Sequence, residues 1–328
     1  MGLWRRVDEH FPLFDRPQLG LKMAMLSDRF DILVDKHFDG TTELTLWNSI
    51  IIRKDIGPKP KVFVLIDSTF VAFPLPDHPL PNKIRFRFLQ IEYIDHSVIE
   101  FLCSNKHIWD KKGTKLELFC ANVQLIWGVL ASEIWPVFAT NIHHLGIDYG
   151  DDLDNLRRRT SPTILTDLDH LISIESTYLL PDEIADFDGP NATSAGQALS
   201  KWVHTPSKNG QPKRLFCEDL DEEGNIDWVN SFKEAFARAT ASVSYKILFA
   251  VHKTSIEPFE LENERTKEKL TLEKVARYDN YLLLKRCPIS EKATAIQWEN
   301  WDDNLNKVKF DLWRGINSIG PLSPPTEE

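Results

Sequence analysis

The residues best suited to chemistry fall in one span: His143-His144, then Asp148, Asp151, Asp152 and Asp154, then Arg157-Arg158-Arg159. Imidazoles, carboxylates and guanidiniums so close together could supply a general base, a cation site or an anion contact. Their spacing argues against each. Adjacent histidines in a predicted strand point to opposite faces, so they make poor joint ligands. The aspartates lack the spacing of a calcium loop and read as a solvated acidic turn. The arginines directly follow these acids and read as a solvated face. Asp219-Leu-Asp-Glu-Glu223 is read in the same way. No phosphate-cradling glycine loop, nucleophile elbow or zinc-type His/Cys spacing occurs. Cys103, Cys120, Cys217 and Cys287 are too far apart for a short metal motif and read as buried, reduced thiols. No catalytic, cofactor-binding or metal-binding residues are therefore expected. An enzyme would need a deep pocket that brings His143, Asp148 and Arg157 together.

The composition sets wider bounds. A net charge of −10 argues against a general nucleic-acid binder, because phosphate binding needs concentrated Lys and Arg. No apolar stretch approaches the ~20 residues that span a membrane. Met1-Gly-Leu-Trp-Arg-Arg6 has neither a signal-peptide h-region nor the hydroxyl residue of a myristoylation signal. Asn191-Ala-Thr193 fits a glycosylation acceptor only in a secreted chain. The expected location is the cytoplasm or the nucleus.

The elements that must carry these residues change character along the chain. Leu44, Leu46, Ile50 and Ile52 nearly alternate, and Val62–Ile66 with Thr69–Phe73 predicts a hairpin across Asp67-Ser68. The proline-rich Pro74–Pro81 breaks regular structure and marks a boundary. Beyond it, two apolar residues flanking one other recur at Leu89/Ile91, Leu116/Leu118, Leu145/Ile147, Ile172/Ile174 and Leu215/Cys217. The starts from Leu89 to Ile172 lie 27 to 29 residues apart, the period of leucine-rich repeats. Helical stripes lie between them: Val98, Phe101, Leu102, Ile108 and Trp109, then Ile126, Leu130, Ile134 and Val137. A short curved solenoid would result; an ordinary α/β or α+β domain of similar spacing stands beside it as an equal alternative. Trp202 and Trp228 sit on helical apolar faces and read as core. Tyr245–Val251, Phe259–Leu261, Leu270–Leu272 and Tyr281–Leu284 read as antiparallel strands. Trp298, Trp301 and Trp313 either pack on that sheet or line a groove, and Gly320–Glu328 reads as a flexible tail.

The first forty residues hold three short helical patterns: Trp4, Val7, Phe11 and Phe14; then Leu19, Met23 and Leu26; then Phe30, Leu33, Val34 and Phe38. Asp15 and Ser27 can cap the second and third, and Pro17 suits a first helical turn. Phe11-Pro-Leu-Phe-Asp-Arg-Pro-Gln-Leu19 leading into Ser27-Asp-Arg-Phe30 and Leu33 resembles the central part of an F-box. The remainder is similar to an expanded family of nematode F-box-like proteins. The matching segments are Asp77–Lys83, Ile134-Trp-Pro136, Lys201–Pro206, Pro258–Asn263, Leu270–Leu272 and Leu282–Pro288.

The resemblance implies an α+β chain: an F-box-like helical module (1–40), a β-rich connector (41–81), a strand–helix, leucine-rich-repeat-like region (82–220), a C-terminal α+β region with an antiparallel sheet (221–316) and a tail (317–328). It implies a substrate receptor of a Skp-cullin-F-box ubiquitin ligase. Its partners would be a Skp-type adaptor and an unidentified protein target, with no cofactor, nucleic acid or membrane. The adaptor-facing candidates are Leu3, Leu13, Phe14, Pro17, Leu19 and Met25. The Leu-Pro-x-Glu opening of the family is here Leu3-Trp4-Arg5-Arg6. That departure keeps a second reading open, a non-ligase interaction scaffold with a remnant F-box; an unrecognised enzyme is the third.

Overall fold

The computed structural model describes residues 44–54, 57–66, 69–81, 84–109, 113–119, 124–177, 179–182, 194–217, 225–250, 256–275 and 281–289. The F-box-like segment, with Leu3, Leu13, Phe14, Pro17, Leu19 and Met25, lies outside the described residues, as do Trp298, Trp301 and Trp313.

The described residues build helices around a twelve-stranded mixed sheet. β1 (Leu44–Arg53), β2 (Lys61–Ile66) and β3 (Thr69–Pro74) form one end, and β2 and β3 pair antiparallel from Ile66↔Thr69, the hairpin expected. β4 (Ile84–Ile91) returns beside β1 in parallel, so the sheet runs straight across the proline-rich stretch. That stretch is itself tied down. The Leu80 amide donates to Asn105 Oδ1 (2.6 Å), while His107 Nε2 meets the Leu80 carbonyl (2.9 Å).

From β4 the sheet adds its neighbours in chain order. β5 (Thr114–Leu118), β6 (Ile142–Ile147), β7 (Ser173–Ser176), β8 (Lys213–Cys217) and β9 (Tyr245–Ala250) each pair in parallel with the strand before. The register aligns Leu89, Leu116, Leu145, Ile174, Leu215 and Ile247 as one apolar row. The fourth unit is therefore shifted from the expected phase, because Ile174 rather than Ile172 meets Leu145. The expectation of an antiparallel C-terminal sheet holds for β10 (Phe259–Asn263), β11 (Glu268–Lys274) and β12 (Tyr281–Pro288). It fails for β9, which is antiparallel only toward β12 and parallel toward β8. The reason is the preceding helix over residues 225–238: a strand that follows a helical crossover can enter the sheet in the same direction as the last strand.

The helices bury their apolar stripes on the Leu116/Leu145 side. They are α1 (His96–Ser104), α2 (Gln124–Val129), α3 (Trp135–Phe138), α4 (Gly150–Arg159), α5 (Ile164–Asp167), α6 (Ala195–His204) and α7 (Asn225–Arg238). Asp95 caps α1 by accepting from the Val98 amide (3.0 Å), and Ser194 caps α6 by accepting from Gln197 (3.1 Å). A π-helical turn, Leu130–Ile134, joins α2 to α3. Pro136 explains it: proline has no N–H to donate inside a helix and its ring crowds the preceding turn, so the ladder widens there. Leu130 and Ile134 remain fully buried beside Trp127 and Phe138.

The last carbonyls of α6 and α7 end on buried polar side chains, as helix C-termini require. Lys213 Nζ donates to the Trp202 carbonyl, and Asn263 Nδ2 donates to that of Phe236 (2.6 Å). Just beyond α7, Arg286 NH2 donates to the Ala241 carbonyl (2.8 Å). His204, at the end of α6, has its pKa pushed down to about 4, first by burial and then by Arg286 and Lys213, against the bond from its Nδ1 to the Ser200 carbonyl. In the unfolded chain a histidine takes its proton near pH 6.5. Between these values the unfolded state binds more protons, so stability falls as pH drops from about 6.5 toward 4, by about 3 kcal/mol for this one group. Urea unfolding across that window should show the loss, and His204→Asn should flatten it; parallel curves for the two proteins would refute the assignment.

Candidate functional site

The apolar row accounts for one face of the parallel strands; the residues between its members point to the other. On that second face Lys115, His144, Ser173, Arg214 and Lys246 form one rung, with Phe88 beside Lys115. Gln90, Glu117, Gly146, Glu175 and Phe216 form the next. Phe88 and Phe216 are buried but stand apart from the main core cluster.

At the middle of this face four charged or titratable side chains converge from three adjacent strands. Lys115 Nζ lies 2.7 Å from Glu117 Oε1 and 3.6 Å from Glu175 Oε2. His144 Nε2 lies 3.5 Å from the same Glu175 oxygen, and His144 Nδ1 meets Ser173 Oγ at 3.0 Å. Burial works to lower the pKa of Lys115, but Glu117 and Glu175 outweigh it and hold the ammonium above its ordinary value. Lys115 also stands 5.1 Å from the centre of the Phe88 ring. Gly146 makes the convergence possible: a Cβ at this position would lie 2.5 Å from Glu117 Cγ, so the glutamate leans into space that any other residue would occupy.

Ser173, His144 and Glu175 have the connectivity of nucleophile, base and orienting acid. The surrounding sheet denies them the rest of that chemistry. Backbone N–H groups in the middle of a parallel sheet are committed to the ladder, so they cannot converge on a developing oxyanion. The arrangement suits charge pairing, cation binding or recognition of a polar partner.

The residues singled out from sequence are dispersed. His143 and His144 do part, as adjacent strand residues should, and a register shift between β5 and β6 falls beside them. His143 stacks on His170 with ring centres 5.3 Å apart, close against Gly113, whose φ of +139° favours glycine. Asp148 Oδ1 accepts from Thr177 Oγ1 (3.0 Å). Arg157 pairs with Asp154 (2.6 Å) and donates to the Pro162 carbonyl (3.3 Å). His143, Asp148 and Arg157 thus have separate partners. The acidic turn is corrected to a helix, and the solvated arginine face holds for Arg158 and Arg159, which are exposed, but not for Arg157. Asp151 and Asp152 lie in the first turn of α4 and Arg157–Arg159 in its last, the distribution a helix dipole favours. Asp152 and Arg157 are buried, and burial raises the Asp152 pKa to about 6, against a bond from the Tyr149 backbone and with Asp148 and Asp151 adding to the rise. Cys103, Cys217 and Cys287 are free thiols; Cys120 lies outside the described residues, as does Asp219–Glu223.

The converging cluster escaped the sequence reading because its members on successive strands are 27 to 31 residues apart, with Lys115 and Glu117 near each other only in the same strand. A signal was present in the middle residue of each repeated apolar pair: Gln90, Glu117, Gly146 and Phe216. The phase slip on β7 hid the next member, since Ile172/Ile174 encloses Ser173 whereas the true register presents Glu175.

Among the described residues, cavities lie elsewhere too. One of about 1010 Å³ is bounded by Pro58, Pro60, Pro74 and Pro76 on one side and by Asp95, Glu100 and Phe101 on the other. Another, of about 500 Å³, sits at the ends of α6 and α7, beside His204, Arg238 and Arg286. Among the described residues no helix is long and apolar enough to cross a membrane. No protein-family model, no curated protein and no solved structure matches this chain.

Proposed function

We propose that this chain is the substrate-recognition subunit of a Skp-cullin-F-box type ubiquitin ligase. In this reading residues 1–40 engage a Skp-type adaptor, and the sheet face opposite the helices recognises a protein target in the cytoplasm or nucleus. The observation that carries the recognition half is the in-register pair of rungs on that face. Phe88 and Phe216 flank Lys115, Glu117, His144 and Glu175, and Arg214 and Lys246 extend the first rung, on strands held in one register. Part-exposed charged groups seated beside buried aromatic rings on a rigid scaffold suit protein recognition better than turnover. The parallel order of β4 to β9 with helices between supports reading these units as leucine-rich-repeat-like. The adaptor half rests on the resemblance of Phe11–Leu33 to an F-box.

A pull-down of the full chain with a purified Skp-type adaptor tests the reading. The wild type should be captured, and Leu13→Asp and Phe14→Asp should each lose at least tenfold in affinity while keeping the wild-type unfolding midpoint. Equal capture of the variants, or none of the folded wild type, would overturn the ligase reading. Leu3-Trp4-Arg5-Arg6, in place of the family's usual opening, favours the scaffold reading as the second one.

A further inference from the structure

We propose that Glu117, His144 and Glu175 form a binding site for a divalent transition-metal cation of the zinc class. One donor atom from each lies within 4.8 Å of the other two. Bonds of about 2.0–2.1 Å place two donors of a tetrahedral zinc roughly 3.4 Å apart. His144 Nε2 and Glu175 Oε2 stand at nearly that separation already, 3.5 Å. The two edges from Glu117 to these donors are each within 4.8 Å.

Three further observations point the same way. The donors come from three neighbouring strands, and the ladder pairing of β5, β6 and β7 holds their backbones side by side. Ser173 Oγ meets His144 Nδ1 at 3.0 Å, the outer contact that aims the other ring nitrogen of a ligating histidine. Gly146 stands between Glu117 and Glu175 in the register and lets Glu117 lean over it; a Cβ there would lie 2.5 Å from Glu117 Cγ. An imidazole with two carboxylates suits zinc and its first-row neighbours, whereas calcium and magnesium take oxygen ligands. Three protein donors leave a fourth position for water.

Lys115 is the competitor. Its ammonium lies 2.7 Å from Glu117 and 3.6 Å from Glu175, where it neutralises the carboxylates in the metal-free protein. A cation that enters must displace it. This gives the proposal a signature that adventitious surface binding lacks: removing the lysine charge should tighten metal binding.

The test is titration of the chelator-treated full chain with Zn²⁺ alone, followed by calorimetry, and with Co²⁺, followed by its visible absorption in a four-coordinate site. One equivalent should bind. His144→Asn and Glu175→Gln should each weaken binding at least tenfold, Ser173→Ala on the order of tenfold, as outer-contact changes do, and Lys115→Met should strengthen it. His143→Asn, one residue away and stacked on His170, should leave it unchanged. Matching thermal midpoints identify the variants to be compared, and Ser173→Ala serves if a ligand variant fails to fold. Absence of saturable binding, or Zn²⁺ affinity equal in wild type, His144→Asn and Ser173→Ala, would overturn the proposal.

Discussion

Glu268→Ala should lower the free energy of unfolding by about 3–5 kcal/mol, the largest loss expected of any single charged residue described here. Glu268 is fully buried and Arg286 nearly so, at 0% and 1% exposed. One carboxylate oxygen accepts from Arg286 Nε and NH2 (3.0 and 2.7 Å), and the other from Ser242 Oγ and the Val243 amide (2.7 and 2.8 Å). Alanine removes all four acceptor contacts at once. It strands a guanidinium that is 1% exposed and also stands 5.3 Å from the Phe236 ring. The cost comes from that abandoned charge more than from any net gain the ion pair provides. The double variant Glu268→Leu with Arg286→Met should therefore recover most of the loss. Urea unfolding of the three proteins checks this. A loss under about 1 kcal/mol for Glu268→Ala would mean that Arg286 finds water or another acceptor, and the buried-pair account would fail.

Trp202→Ala should cost about 3–5 kcal/mol by the usual arithmetic of a large core side chain replaced by a methyl group. Trp202 is 1% exposed on α6. Its ring also covers the Lys213 ammonium, which lies 5.0 Å from the ring centre and donates to the Trp202 carbonyl. Burial alone lowers the Lys213 pKa to about 8. An unfolded lysine keeps its proton to about pH 10.4. Between these values the unfolded state holds more protons, so this group makes wild-type stability rise with pH. Opening the site to water should return Lys213 toward its ordinary value and flatten that rise. Unfolding midpoints at pH 7 and 10 separate the two effects. A stability loss with an unchanged alkaline slope would show that the indole packs but does not shield the ammonium.

Trp202 and the apolar pairs mark what local pattern can supply. A tryptophan on the same helical stripe as Leu199 has nowhere to go but the core, and both are buried. Residues 62–73 read as a hairpin because two apolar runs and a two-residue connection are local properties, and the pairing Ile66↔Thr69 follows. The parallel ladder was half legible. Recurrence at 27 to 29 residues reveals that units repeat, but not the phase in which each strand meets its neighbour. Phase is set by packing of whole crossovers, and on β7 it moved by two residues.

Chemistry was less legible than fold, for the same reason. His143, Asp148 and Arg157 are near in sequence, yet a strand, its end and a helix carry them to separate partners. Asp152 and Arg157 read as solvated because charge runs usually are; α4 turns those positions inward, a matter of which helix face meets the sheet. Arg286 likewise lies two residues beyond the expected strand Tyr281–Leu284, inside the longer β12, and its glutamate lies one strand away. The sequence by itself determined the classes of element, the apolar rows that face the helices and the absence of any short catalytic motif. The tertiary structure alone decided that Lys115, Glu117, His144 and Glu175 meet, because parallel strands spaced a few ångströms apart join residues that the chain separates by whole crossovers.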